Sequence, residues 1–545
     1  MKRFLVKFSK LIHGITLVLF IGLIILLSIS SALFSSFSDG NIFFRAINPL
    51  NVLSVILIAV GIFLYVFIGQ KLFDRYKISL KKIQNWALIL TTAILTIVLL
   101  IYSQVPSVND QGGLFVWPFA YAYWDQFDYM IPMGMFGGVL VKLFGMSGAF
   151  LAFRIMNLAL MVLAFWLLGK ITKKLFKNDK IAKIYWLIAP LCIQFIFYVS
   201  WAYGNIPSVC LMIFVIYLLM KFFEKEKWQY IAAIIPLSFL ALAFKLQAQI
   251  VIIAVLIVLI LRLFQVKNRL KTIILCGGFI FILVFTLPFF RFVANSMQNQ
   301  YEITAFPTFI NVAQGIAAYD ENDKIAYQEM GALQGPISEM TGHWSYVIDG
   351  HTMTDLRNDE LAKSRSAERI KYRLNEFMEN PKMAARFFLR KQLSDWNSPD
   401  FGALQVWGAS DYFKGKNKAI YQNDPNKPKL FTTLQPKHTA YNILYKFSDG
   451  YETLVYLMCA FGVVFIFRDR KHKKKLLILI IPLTFMGQFL LSLFTESGGR
   501  FNFYVFVLLL PFAAIGLWHI SQFTDKKCAY ILSQFKKKPK SRRNN

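Results

Sequence analysis

Asp110 is the first residue of this chain equipped for chemistry. It lies in Val105-Pro-Ser-Val-Asn-Asp-Gln-Gly-Gly, where Pro106 and Gly112-Gly113 end any helix and expose the acid just past an apolar run. A carboxylate held there can take the proton of an attacking hydroxyl. Its other reading is a helix cap or a solvated loop residue. Three further places add charge at apolar boundaries. Lys245 sits in Ala243-Phe-Lys-Leu-Gln-Ala, between two otherwise apolar stretches, where it either snorkels to water or meets an anionic headgroup. Glu496 and Arg500 share Thr495-Glu-Ser-Gly-Gly-Arg-Phe and could form a structural ion pair or act on a ligand. Asn380-Pro381 reads as N-cap and first residue of a helix that carries Phe387, Phe388, Lys391 and Trp396. An apolar face ending in Arg390-Lys391 suits a segment resting on a membrane near phosphate groups, as it also suits ordinary packing with solvated charge. Arg154, Asp125, Asp128 and the fragment Tyr203-Gly-Asn205-Ile-Pro complete the set, the fragment's glycine and proline serving geometry in its plainer reading.

The elements that must position these residues are membrane helices. Apolar runs fall near 14–35, 51–69, 86–104, 148–169, 183–200, 205–222, 230–245, 249–264, 272–292, 451–467, 476–494 and 501–520, about twelve spans. Hydrophobic residues make up 56% of the chain and the mean hydropathy is +0.49, too apolar for a soluble protein of this length. The fold class expected is an all-α polytopic membrane protein. The aromatic, glycine-rich segment 115–143 is too interrupted for a span and reads as amphipathic helices in the interface. Five parts follow: 1–85 with two helices; 86–292, a membrane domain with a catalytic loop at 105–147; a polar region 293–449; helices at 450–522; and a basic tail 523–545. Within 293–449 a helical pattern is visible only from Leu361 to Trp396.

Charge assigns the sides. Connections such as Lys71–Lys82, Lys170–Lys183 and Arg468–Lys475, with both termini, hold about 36 basic and 6 acidic residues, against about 24 of each on the other face. That asymmetry accounts for the whole net charge of +30, so basic loops that set topology explain it and nucleic acid is not an expected partner. Both termini are expected in the cytoplasm, and 293–449 outside, where Asp110, Lys245, Glu496 and Arg500 share one level. Cys192, Cys210, Cys276, Cys459 and Cys528 all avoid the exterior region, so no disulfide framework is expected there. The first span lacks a small-residue cleavage pattern and reads as a retained helix.

Other chemistries find no motif. There is no Gly-x4-Gly-Lys-Ser/Thr loop, no His-Glu-x-x-His or comparable spacing among the six histidines, and no Gly-x-Ser-x-Gly elbow.

In the order of these features the chain resembles the GT-C class of integral-membrane glycosyltransferases, most closely mannosyltransferase-like members (glycosyltransferase family 39 type) of Gram-positive bacterial envelopes. The resemblance spans roughly 86–520 and rests on Asp110-Gln111, the 115–145 segment, Arg154-Ile-Met-Asn157, Tyr203-Gly-Asn205, Lys245, Lys391 to Trp396, and Glu496 with Arg500. It implies transfer of a hexosyl or pentosyl group from a polyprenyl-phosphate-linked donor to an extracytoplasmic envelope glycan, lipid or protein, with inversion. Asp110 would be the base and Lys245, Lys391 and Arg500 would stabilise the lipid phosphate, a leaving group that needs no general acid. Arg154 would position Asp110; Glu496 would orient Arg500 or bind a sugar hydroxyl; Asp125 and Asp128 would contact the acceptor. Gln111 stands where a paired acidic motif has its second acid, so no cofactor is expected and nothing supports a divalent metal. Two other functions use the same features. A flippase or transporter of lipid-linked glycans should carry polar groups through the membrane middle. A non-catalytic envelope assembly protein should tolerate Asp110→Asn.

Overall fold

The computed structural model describes residues 2–37, 43–44, 48–102, 128–266, 269–297, 312–313, 315–316, 347–348, 351–352, 360–404, 438–468, 476–495 and 498–536. Its helices are α1 (Lys2–Leu33), α2 (Pro49–Arg75), α3 (Leu80–Tyr102), α4 (Ile131–Phe176), α5 (Asp179–Ile188), α6 (Ile193–Ile196), α7 (Asn205–Lys225), α8 (Trp228–Phe244), α9 (Ala248–Leu263), α10 (Leu270–Met297), α11 (Glu360–Glu379), α12 (Pro381–Trp396), α13 (Thr439–Arg468), α14 (Ile480–Phe494) and α15 (Phe503–Lys536). Two antiparallel ladders of two residues each, Ser36–Phe37 with Phe43–Phe44 and Val347–Ile348 with His351–Thr352, are the β-structure among the described residues. The chain is an all-α polytopic membrane protein.

Nine described helices are long and apolar enough to cross a membrane, and a bent pair over Asp179–Ser200 makes ten. The pair turns by 60° between Leu191 and Ile193, where a straight span over 183–200 is expected. Two shorter apolar helices, α8 and α9, fill the remaining expected spans. At 1.5 Å per residue the 17 residues of α8 rise about 25 Å and the 16 of α9 about 24 Å, short of a hydrocarbon layer of about 30 Å. Their shared turn is buried, with Ala243, Lys245 and Ala248 at most 9% exposed.

Sequence sets the starts and breaks. Asn48, Asn178 and Asn380 each accept a first-turn amide N–H through the side chain, at 2.9, 2.9 and 3.1 Å. Pro49 and Pro381 follow two of them, at positions where a missing N–H costs nothing. Within α4 the helix breaks at Gly145, whose φ of 68° a side chain would oppose. The part before the break is the described portion of the expected interfacial segment. It packs Met130 and Met133 with Phe153, Ala202 and Tyr203 into a small core of its own.

The centre of the bundle is α13 against α15. They cross so closely that a Cβ on Gly516 would lie 1.8 Å from the Met458 carbonyl oxygen, and one on Gly462 would lie 2.2 Å from that of Phe512. Small residues allow this backbone approach in a layer where lipid is as apolar as the side chains. The apolar stretch of α15 is 83% buried, that of α2 only 17%, so α2 lies at the lipid-facing edge.

Candidate active site

Arg154 and Asn157 stand one turn apart on α4, both buried. The chain opposite them, Val199 to Trp201, leaves a 3-10 turn, so its carbonyls lack helical partners in a place without water. Asn157 Nδ2 donates to the carbonyls of Val199 (3.3 Å) and Trp201 (2.7 Å), and Arg154 Nε donates to that of Ser200 (2.8 Å). Two side chains thus hold three consecutive carbonyls and fix where the following turn begins.

That turn is Tyr203-Gly204-Asn205, and it abuts the buried turn after α8. A Cβ on Gly204 would sit 1.9 Å from the Phe244 carbonyl oxygen, so only glycine lets the two backbones meet. Lys245, next in the chain and 9% exposed, donates Nζ to the Tyr203 hydroxyl at 3.0 Å and lies 4.3 Å from the centroid of its ring. Beside them runs a narrow crevice lined by Lys245, Gln247, Asn205, Ser208, Phe503 and Tyr504. Asn205 Oδ1 is buried there with no described hydrogen-bond donor. The crevice has a free volume of about 10 Å³, room for roughly one water, so a cation, two amides and two hydroxyls make a polar notch in an apolar wall and not a preformed sugar pocket. Three stretches singled out in the sequence, 154–157, 203–205 and 245, are brought together here.

A second group forms where α12 ends. The Lys391 ammonium donates to the carbonyls of Gly315 (2.5 Å), Thr495 (2.5 Å) and Leu493 (3.2 Å). Two of these acceptors lie at the carboxyl end of α14, where orphan carbonyls and the helix dipole favour a cation. Lys391 therefore ties α12 to the carboxyl end of α14, five residues before Arg500. Arg500 is half-buried in the turn Gly499–Phe501, its guanidinium 5.0 Å from the Phe501 ring. Asn502 Nδ2 donates to the Asp395 carbonyl at 3.0 Å. Trp396 is fully buried; its indole N–H donates to Gln392 Oε1 at 3.2 Å and its ring lies 4.6 Å from that of Phe485.

The end of α12 does not rest on a lipid surface, as its sequence pattern suggests, but is inserted into the bundle. Asn397, Ser398, Asp400 and Phe401 are 0% exposed. Gln194 donates to the Pro399 carbonyl (2.7 Å), Tyr198 to that of Phe401 (2.5 Å) and Tyr456 to that of Trp396 (2.9 Å). The Asp400 carboxylate caps the amides of Gly402 (3.2 Å) and Leu404 (3.0 Å). Glu452, also fully buried, faces Tyr456 at 3.4 Å. These residues were not singled out from sequence; Asn397-Ser-Pro-Asp400-Phe-Gly402 is a turn signature that marks the geometry, though not its burial. Phe503 joins the two groups, since it lines the Lys245 crevice and stacks on the Tyr198 ring at 4.1 Å.

Asp110, Gln111, Asp125 and Glu496 lie outside the described residues. Asp128 opens the 3-10 turn Asp128–Met130 that leads into α4. Among the described residues no three His, Cys, Asp or Glu side chains are grouped to hold a metal ion.

Residues 134–291 match the model of the dolichyl-phosphate-mannose-protein mannosyltransferase family. The protein is a GT-C glycosyltransferase-like membrane protein. The matched segment contains Arg154, Asn157, Tyr203, Asn205 and Lys245, while Phe503 and Tyr504 of the crevice lie outside it. The match supports a membrane glycosyltransferase that uses lipid-linked sugar donors. No curated protein and no solved structure matches this glycosyltransferase-like chain.

Proposed function

We propose that the protein transfers a hexosyl or pentosyl unit from a polyprenyl-phosphate-linked donor to a hydroxyl of a cell-envelope glycan, lipid or protein outside the cytoplasm, inverting the anomeric centre. The observation that carries this reading is the convergence of Lys245, Tyr203 and Asn205, all three inside the family-matched segment, at one crevice. The acceptor oxygen bonds to the anomeric carbon as the bond from that carbon to the phosphate oxygen breaks. The lipid phosphate leaves with the electron pair, and Asp110 takes the acceptor's proton. Lys245 meets the charge that grows on the phosphate; buried in an apolar wall, it acts at a low dielectric and with little reorganisation. Arg500 approaches the phosphate from the second group, with Glu496 orienting it. Lys391 serves that reaction by holding the end of α14 before Arg500, Trp396 by anchoring the end of α12, and Arg154 by fixing the 199–205 chain. Gln111, Asp125 and Asp128 contact the acceptor. The bias of basic residues toward one set of loops supports cytoplasmic termini and a crevice on the outer face.

Envelope glycans measured by mass spectrometry in cells with matched amounts of wild type, Asp110→Asn and Lys245→Ala test the proposal. The expected result is loss of one sugar substituent in both variants, with the lipid-linked donor accumulating. An unchanged glycan profile in both variants overturns the proposal.

A further inference from the structure

The opposite end of the bundle holds a cavity of about 490 Å³, unrelated to the crevice around Lys245. It opens where α4 ends at Phe176, α5 begins, α13 ends at Arg468, and α15 passes with Ile515, Trp518 and His519. Phe176 is 22 residues below Arg154 on α4, about 33 Å away along the helix, which puts the cavity at the basic rim. Its walls are of two kinds. Phe176 and Ile515, buried in the bundle, give an apolar floor. Arg468, Asn178, Trp518 and His519 give a polar and aromatic mouth.

Three observations select the ligand. Among the described residues no Asp or Glu lines the cavity. Lys173, Lys174 and Lys180 are neutralised by Asp179 (3.0 Å), Glu224 (2.7 Å) and Asp74 (2.9 Å), whereas among the described residues no carboxylate pairs with Arg468. The Trp518 indole N–H is buried with no described acceptor, and Asn178 caps α5, whose positive end thereby faces the mouth. His519 stacks on Phe465 at 3.8 Å and meets Trp518 edge-on at 4.5 Å, closing an aromatic collar at headgroup depth.

We propose that this cavity binds an anionic phosphate-bearing lipid from the leaflet on the basic side. The phosphate sits between Arg468, the Trp518 N–H and the start of α5, and the first methylenes of the chain lie on Phe176 and Ile515. Basic pockets between helices on that side of a membrane are suited to such headgroups. Two lipids share this chemistry, an anionic glycerophospholipid and a polyprenyl phosphate. The site is independent of the transfer reaction proposed above.

The test uses the purified full-length protein in detergent, titrated with phosphatidylglycerol, phosphatidylcholine and a polyprenyl phosphate, with bound lipid counted by native mass spectrometry. At least one anionic lipid is expected to bind about tenfold or more tighter than phosphatidylcholine, and Arg468→Ala to remove that preference. Trp518→Phe, which keeps the ring and loses the N–H, should weaken the same lipid several-fold, and Lys245→Ala should leave phosphatidylglycerol binding unchanged. Arg468 is exposed, so its replacement leaves the packed interior intact. Preference for phosphatidylglycerol identifies a membrane lipid, and preference for polyprenyl phosphate identifies a carrier; either supports the proposal. Equal binding of all three lipids, or a preference for an anionic lipid that survives Arg468→Ala, overturns it.

Discussion

Gly204→Ala should disable the protein although it adds a single methyl group and removes no charge. The new Cβ would lie 1.9 Å from the Phe244 carbonyl oxygen and 2.7 Å from its carbon, while real Cβ contacts essentially never fall under 3.0 Å. The two backbones must separate by at least about 1.1 Å, the gap between those distances. Neither side can yield cheaply. The 203–205 turn is held from behind by Arg154 and Asn157, and Phe244 is the last residue of a packed helix. Overpacking of this kind costs about 1–3 kcal/mol. The displacement also separates Lys245 from Tyr203, and about 1 Å of misplacement in a catalytic constellation lowers rates on the order of 100-fold. Sugar transfer by membranes carrying equal amounts of each variant, with thermal melting of the purified protein, measures both effects. Gly277→Ala on α10 is the control: it has open space around it and should be neutral or stabilising by up to about 1 kcal/mol. Wild-type melting and transfer in Gly204→Ala would refute the argument that the two turns meet by backbone contact.

Asn157→Leu should lower the melting temperature and the accumulated protein, since it leaves two buried carbonyls without donors at about 1–3 kcal/mol each; Asn157→Gln should restore part of the loss. Lys391→Met strips donors from three carbonyls, so the carboxyl end of α14 should become cleavable by added protease while the remaining helices stay protected. Unchanged protease resistance would show that Lys391 does not hold that end. Gly516→Leu should abolish accumulation of the protein in membranes, because its side chain would enter the Met458 backbone at the centre of the bundle; Gly61→Leu, with nothing within 4 Å of its Cβ, should not.

The parts of the site legible in the sequence were those governed by local rules. Asn380-Pro381 shows its helix start because capping needs only neighbours in the chain. Lys245 shows its level because it ends one apolar run and begins the next. The Ser200 carbonyl to which Arg154 donates was not legible: it lies 46 residues on, exposed by a bend that no local pattern announces, while Asp110, the expected partner, lies outside the described residues. Lys391 has a similar history: its face with Phe387 is a matter of helical spacing, but its three carbonyl acceptors come from chain 76 to 104 residues away. Residues 397–404 mislead most. Their composition is that of a surface turn, and they are buried because Gln194 and Tyr198 supply hydrogen bonds that replace water.

By itself the sequence determined the solvent and the layering of this protein: apolar runs long enough to span, basic loops on one face, and candidate ionisable residues near the other. Those properties follow from transfer of single side chains and helices between water and lipid, so they are additive along the chain. Only the tertiary structure decided which residues meet. The turn between α8 and α9 buries Lys245, Gly204 lets Tyr203 reach it, and α12 turns inward instead of lying on lipid. Each of these depends on contacts between distant segments, whose energies arise from close packing and satisfied buried polar groups, and neither property is carried by any one stretch of chain.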